Sequence, residues 1–262
     1  MKYITLSVCL SLSLSVFGQR AKHTVNSGHS HNDYNQNLPF YQAYYAGMGS
    51  VEADVFLKNG KLLVAHNEED TDPSRDLITL YLEPIARVFK KNGGHPYGDT
   101  TRHLQLLIDI KDGHEAVLAE LIRELGPYLD VFDLKRDKNA VKILISGDVP
   151  PAENFKDYPD YIWFDGRPAR RYSADELKRI GMISDNISDY TAWNGIGTLA
   201  PADLKKLAGV IGQAHQLNKP FRFWGTKDIP DTWKELENMG ADWIGTDYPE
   251  KLKDFYNLRD KR

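Results

Sequence analysis

The chain has 262 residues, with 33 Lys and Arg against 37 Asp and Glu, a formal net charge of −4 and one cysteine. Charges of both signs are mixed along it and no basic tract is present, which excludes a nucleic-acid binder reading phosphates with a charged face. A single thiol cannot close an internal disulfide, so the fold must rest on its apolar core.

In chain order, Lys2 is followed by an apolar, Ser-containing run from Ile4 to Phe17 that ends at Gly18. This is the layout of a secretory leader cut after Gly18, and it predicts a secreted or periplasmic protein. Cys9 falls inside that leader, so the mature chain carries no thiol. The run is at or below the ~17 residues that span a bilayer, and no transmembrane segment is expected. Past the leader, roughly 240 residues suit one (β/α)8 TIM barrel, read here as a monomeric domain over 19–262.

Short β-branched runs then alternate with longer periodic ones. The spacing predicts strands over Thr24–His29, Ser50–Leu57, Leu104–Ile110, Val141–Ser146, Tyr161–Phe164, Met182–Ser184, Phe221–Trp224 and Trp243–Gly245. Helices are predicted over Phe40–Ala46, Leu77–Lys91, Glu115–Leu125, Ser173–Arg179, Pro201–Leu217 and Asp231–Met239. Several carry their own punctuation: Gly47, Asn92-Gly93-Gly94 and Gly240 follow helix ends, and Ser173 with Glu176 makes a capping box. Strands alternating with helices imply a parallel sheet, closed into a barrel at this length.

Barrel enzymes carry chemistry where strands end, so the polar residues there are the informative ones. The first predicted strand runs into Gly28-His29-Ser30-His31-Asn32-Asp33-Tyr34, with His29 and His31 two apart and so on one face. The second reads Val51-Glu52-Ala53-Asp54-Val55, with Glu52 and Asp54 sharing a face. Neither face of a barrel strand is wet, and two adjacent buried carboxylates repel unless a cation joins them. A turn at Lys58-Asn59-Gly60 returns the chain through an apolar run to His66. The third strand ends Asp109-Ile110-Lys111, placing an acid and an ammonium on one face. Oxygen donors of this kind suit a hard divalent cation, Mg²⁺ or Ca²⁺. The ion and Lys111 would neutralise a phosphodiester, and imidazoles titrating near neutrality would serve as base and acid.

Gly-His-x-His-Asn-Asp-Tyr, Val-Glu-Ala-Asp-Val, Leu-Val-Ala-His and Ile-Asp-Ile-Lys together resemble the phosphatidylinositol phospholipase C and glycerophosphodiester phosphodiesterase superfamily, in its little-characterised His-Ser-His-Asn-Asp-Tyr branch. The motifs cover Gly28 to Lys111, and Gly240 to Pro249 is similar to the family's last strand. The resemblance implies a barrel enzyme hydrolysing a glycerophosphodiester, lysophospholipid or phospholipid headgroup. It implies Glu52, Asp54, Asp109 and Asn32 as metal ligands, His66 as one catalytic imidazole and Lys111 as a substrate contact. For the other imidazole, Ser30-His31-Asn32 resembles the phospholipase C pattern, while Gly28-His29-x-x-Asn32 resembles the venom phospholipase D pattern; His31 is preferred. The His-Arg-Gly and Pro-Glu-Asn-Thr signatures of the glycerophosphodiesterases are absent, and Leu38-Pro39-Phe40 stands where the second would lie.

Two rivals share parts of this pattern. His29-Ser30-His31 would also open a zinc amidohydrolase-like barrel, although the strand ends at Asp165 and Asp185 supply no further His. A non-catalytic barrel could bind sugar or headgroup through Tyr34, Tyr190, Trp193, Trp224 and Tyr248. Trp224, closing the seventh strand, is expected to line the cleft, with Asp165, Arg167, Asp185 and Asn186 as further strand-end candidates.

Overall fold

Among the described residues, nine strands take up the short β-branched runs, and eight of them lie parallel in one nearly closed barrel. The computed structural model describes residues 23–260; the predicted leader, with Cys9, lies outside the described residues. The strands are β1 (Gly28–Ser30), β2 (Ser50–Lys58), β3 (Lys61–Val64), β4 (Gln105–Ile110), β5 (Lys142–Gly147), β6 (Ile162–Gly166), β7 (Ile180–Asn186), β8 (Phe221–Trp224) and β9 (Ile244–Thr246). They pair in the order β8-β7-β6-β5-β4-β2-β1-β9, and β3 pairs only with β2. A parallel bridge between Arg222 and Trp243 brings the two ends of the sheet together. The fold is a single (β/α)8 TIM barrel, as the alternation of the sequence predicts.

The helices that cover the sheet are α1 (Tyr41–Ala46), α2 (Glu83–Lys91), α3 (His114–Leu125), α4 (Leu129–Phe132), α5 (Ala174–Leu177), α6 (Pro201–Gln216), α7 (Pro230–Met239) and α8 (Pro249–Asp260). The Ser173 capping box forms as its spacing requires, and α6 and α7 start on prolines whose missing N–H costs nothing there. No helix of the described residues is long and apolar enough to cross a membrane.

Several elements depart from the residue pattern, β3 and α4 among them. The first strand begins at Gly28, not Thr24, because the Thr24 side chain accepts from Asn26 N and rolls Val25–Ser27 into a 3-10 turn. The predicted helix Leu77–Lys91 opens as a wider π-turn over Ile78–Leu82 before α2. The last described helix, α8, for which the residue pattern predicts no helix, starts on Pro249, a proline at a first helical position.

The β2–β3 hairpin departs from a plain barrel and matters for the site. Asn59 and Gly60 both adopt positive φ, 50° and 74°. This is the geometry that an Asn-Gly two-residue turn supplies and that lets Lys58 pair with Lys61. The returning strand places Val64 opposite Val55, and Ala65 N then donates to Asp54 O. His66 therefore arrives beside the inner residues of β2.

Alternation along the strands sorts the core into two compartments. Val51, Ala53, Val55, Leu106, Ile108, Ile143 and Ile145 face outward into the large cluster beneath the helices. Leu107, Leu144, Met182 and Trp243 form a separate small cluster. The remaining inward positions of β1, β2 and β8 are polar: His29, Ser50, Glu52, Asp54 and Arg222 are all buried.

A buried acid outside the barrel interior, Glu124, is only partly compensated. Glu124 of α3 accepts from Leu62 N through Oε1, while Oε2 is buried with no partner among the described residues. Burial pushes its carboxyl up to about 7. A carboxyl raised in the folded state binds its proton more tightly there than in the unfolded chain, so stability is lost as pH climbs from about 4.5 to 7. Glu124→Gln should therefore be more stable than the parent at pH 8, by about 1–3 kcal/mol, with the gap closing at pH 4.5. Urea unfolding at both pH values checks this; a constant difference would show that the charge is not the cause.

Candidate active site

The parallel register puts polar groups level with one another at the C-terminal ends of the strands. His29 pairs with Ser50 across β1–β2, Asp54 with Asp109 across β2–β4, and Asp109 with Ser146 across β4–β5. Two constellations result, one deep and one at the rim.

The deep constellation is a chain of buried hydrogen bonds. Gln105 Nε2 donates to Ser50 Oγ at 3.0 Å, Ser50 Oγ lies 2.7 Å from His29 Nδ1, and His29 Nε2 lies 2.6 Å from Glu52 Oε2. Arg222 Nη1 reaches the same Glu52 oxygen at 3.2 Å. Burial, with the nearby Arg222 charge, pushes the His29 imidazole down to about 4, so the ring is neutral at physiological pH and donates from Nε2. Burial alone would raise Glu52, but the His29 hydrogen bond and Arg222 outweigh it and hold the carboxyl well below its usual range.

The rim constellation centres on Asp54, which is fully buried. Its Oδ2 faces Lys111 Nζ at 2.5 Å, the Tyr34 hydroxyl at 2.8 Å and His66 Nδ1 at 3.1 Å. Lys111 also reaches Asp109 Oδ1 at 3.1 Å, and Asp109 Oδ2 accepts from Ser146 Oγ at 2.8 Å. Gly147, at φ 77°, is required here: a Cβ would sit 2.2 Å from Ile110 O and 2.8 Å from Asp109 Oδ1. Burial opposes the Lys111 charge, yet Asp54 and Asp109 raise its affinity for the proton overall. Burial and the Glu52 charge move Asp54 upward, against Lys111. The Tyr34 hydroxyl lies between Asp54 and Asn32 Oδ1, the latter at 2.7 Å. Burial and the Asp54 charge drive its ionisation far above the usual range, so it stays a donor.

His31 forms the opposite wall. Its Nδ1 lies 2.7 Å from Asp247 Oδ1, and its Nε2 is 4.0 Å from Glu52 Oε1. Burial disfavours the imidazolium, but the Asp247 hydrogen bond and the Glu52 charge prevail and raise it. Asp247 is itself fixed by its N–H to Asp228 Oδ2 at 2.6 Å. A cavity of about 110 Å³ opens between His31, Arg222, Trp224, Asp228 and Asp247. Trp224 is 37% exposed there.

The residues singled out by the sequence thus meet at one barrel mouth, with distinct placements. His31 and His66 keep partly exposed rings, 41% and 58% of the side chain. His29 is sealed inside with both nitrogens engaged. Asn32, at φ 47°, joins Tyr34 to His31. On the far side, Arg167 contacts Asp165 at 2.7 Å and Tyr190 donates to Asp185 at 2.6 Å. Trp193 Nε1 donates to Gly197 O, and Tyr248 lies under Lys251.

Sequence reading missed Arg222 and the pairing role of Asp247. Arg222 was legible as the polar member of Phe221-Arg222-Phe223, an inward position by alternation. Asp247 has no local signal; 216 residues separate it from His31.

The acids do not form a ready ligand cage. Among the described residues, no group of three or more His, Cys, Asp or Glu side chains is arranged to hold a metal ion, and Lys111 and Arg222 lie against the carboxylates. One atom remains over: Asp54 Oδ1 is buried and without a partner among the described residues. An unpaired, buried carboxylate oxygen beside further oxygen donors fits a hard cation in kind.

The sequence model of the AIM6-like phosphodiesterase domain family matches residues 20–153. The chain is 29% identical over 274 residues to altered inheritance of mitochondria protein 6 of Eremothecium gossypii, spanning 87% of this chain and 68% of that one. It is 27% identical to the homologue from Arthroderma benhamiae, over 87% and 83% of the two chains. Among solved structures, a glycerophosphodiester phosphodiesterase from Parabacteroides distasonis superposes with a TM-score of 0.53 at 15% identity, covering 89% of this chain and 97% of that one. One from Agrobacterium tumefaciens does so at 0.52 and 13%, covering 88% and 97%. At such identities the likeness is one of fold.

Arg222 is what keeps Glu52 tolerable inside the barrel. Arg222→Met should lower the unfolding free energy at neutral pH by about 3–5 kcal/mol, the cost of a buried charge stripped of its partner. Urea denaturation measures it, and a loss below about 1 kcal/mol would show that Glu52 does not depend on the guanidinium.

Proposed function

Since the chain belongs to the AIM6-like phosphodiesterase domain family, we propose that it is a metal-dependent phosphodiester hydrolase acting by two-imidazole acid–base catalysis. The observation that carries this is the pairing of each exposed ring with its own carboxylate, His66 on Asp54 and His31 on Asp247, on two sides of one acid-lined mouth.

The two rings are held for opposite tasks. With His66 Nδ1 anchored on Asp54 Oδ2, Nε2 is the nitrogen left to take the proton of an attacking hydroxyl or water. Asp247 accepts from His31 Nδ1 and favours its imidazolium, which suits Nε2–H to protonate the departing alcohol oxygen. Lys111 and Arg222 supply fixed positive charge beside the phosphate position. A divalent ion, Mg²⁺ or Ca²⁺, held by Glu52, Asp54 and Asp109 with Asn32, would add charge on a non-bridging phosphate oxygen. Tyr34 keeps Asp54 and Asn32 in place. His29 acts as a positioning residue that orients Glu52, since both its nitrogens are already used. Trp224 offers an aromatic wall to the alcohol portion of the substrate.

The substrate class proposed is a glycerophosphodiester, lysophospholipid or phospholipid headgroup. The small cavity at Trp224 and the glycerophosphodiester phosphodiesterase fold support it. The leader-like run at Ile4 to Phe17 supports export to the periplasm or medium.

His66→Ala and His31→Asn should each cut kcat/KM by 10²–10⁴, the usual worth of a positioned acid or base, with circular dichroism unchanged. An aryl diester with a good leaving group should rescue His31→Asn and not His66→Ala. Chelation should abolish turnover and Mg²⁺ or Ca²⁺ restore it. A phosphorus NMR time course on the three substrate types reads the outcome. Silence across the panel with Mg²⁺, Ca²⁺ and Mn²⁺ supplied would overturn the assignment.

A further inference from the structure

At the opposite, N-terminal end of the barrel lies a second cavity, of about 460 Å³, within the range of sites that take a small organic ligand. It is lined by the starts of β4 and β5, by the residue before β9 and by the loops that feed them. Its polar lining is unbalanced. Arg102, Lys138 and Lys142 face it, Arg102 with Asp99 3.5 Å away on the adjoining loop, while among the described residues Asp242 is its one carboxylate lining residue, and Asp242 Oδ2 is already taken by His215 Nε2 and Phe221 N at 2.7 Å each. This excess of cations occurs on a chain whose formal net charge is −4.

Two donors at this end lack acceptors. Trp243 is buried, 7% exposed, and its indole Nε1 has no hydrogen-bond partner among the described residues. Lys142 has no carboxylate within ion-pair range among the described residues. Its ammonium lies over the Trp163 ring at 5.4 Å, and burial, together with Lys219, weakens its hold on the proton. The Trp243 N–H is sealed from the cavity, whereas an ammonium without a counter-ion, partly withdrawn from water, costs free energy that an incoming anion would recover. Pro96, Leu104 and Trp243 supply the apolar remainder of the wall.

We propose that this basal cavity is a binding site for a small organic anion, a phosphate or carboxylate carried on a flat apolar body, taken by Lys142 and Arg102 with Trp243 in the apolar wall. The site is separate from the catalytic mouth and does not depend on the reaction assigned there. Gln105 lies at its inner end and is the first link of the buried chain through Ser50 and His29 to Glu52.

Titration calorimetry on the whole protein with phenylphosphonate, benzoate and inorganic phosphate tests this. Phenylphosphonate or benzoate should bind one equivalent, and whichever binds more tightly identifies the anion as phosphorus-borne or carboxylate. Inorganic phosphate should bind at least tenfold more weakly, having no apolar body. Lys142→Met, which keeps the aliphatic stem, should weaken binding at least tenfold, and Arg102→Met should weaken it as well. Lys111→Met, at the mouth, should change nothing. Absence of binding at millimolar concentration, unchanged affinity in Lys142→Met, or loss of binding in Lys111→Met would each overturn the proposal. Equal affinity for inorganic phosphate would overturn its apolar part.

Discussion

Charge buried inside a closed sheet is the constraint on which this molecule turns. A barrel interior offers no water, and an isolated carboxylate there is too costly to keep ionised. Glu52 is ionised because Arg222 from β8 and His29 from β1 converge on one of its oxygens. Asp54 shares Lys111 with Asp109. These partners come from strands far apart in the chain, so closure of the sheet and survival of the acids are one event. An open sheet would separate Glu52 from Arg222.

That matching divides the interior into zones with different work. The apolar cluster of Leu107, Leu144, Met182 and Trp243 separates polar groups at the mouth from the basal cavity. The chain Gln105–Ser50–His29–Glu52 passes from one zone to the other. Each link both donates and accepts except the ends, so the neutral tautomer of His29 is set from both sides. At the rim, imidazoles remain accessible because their carboxylate partners anchor one nitrogen and leave the other. Depth therefore separates an imidazole that orients a carboxylate from those suited to proton transfer.

The same geometry explains why the β2–β3 hairpin matters. A plain barrel strand would send the chain from Lys58 into a helix. The Asn59-Gly60 turn instead doubles the chain back along β2 and delivers His66 to Asp54. The loop thus converts an acid pair into an acid–imidazole pair without a further barrel strand. Family membership and the barrel neighbours bear on the fold, and a divalent ion is proposed from donor chemistry, on the unpartnered Asp54 Oδ1.

Much of this was determined by the residues alone. Period-two apolar runs, Gly and Pro stops and the Ser173 box placed the eight barrel strands and the helices that fell between them, because those signals are local and act within a few residues. Glu52, Asp54, His66, Asp109 and Lys111 were legible for the same reason: each is a polar residue within or just after an apolar strand. Tertiary structure alone decided which imidazole faces the mouth. His29 and His31 are equivalent by spacing, but the β1–β2 register buries the first against Ser50 and Glu52, while the turn at Asn32 leaves the second at the rim. It also decided the partners of that rim residue, since Asp247 and Arg222 meet His31 and Glu52 only when the last strands close on the first. Contacts across more than 150 residues carry no local pattern in one sequence; they exist only once the sheet has curved into a barrel.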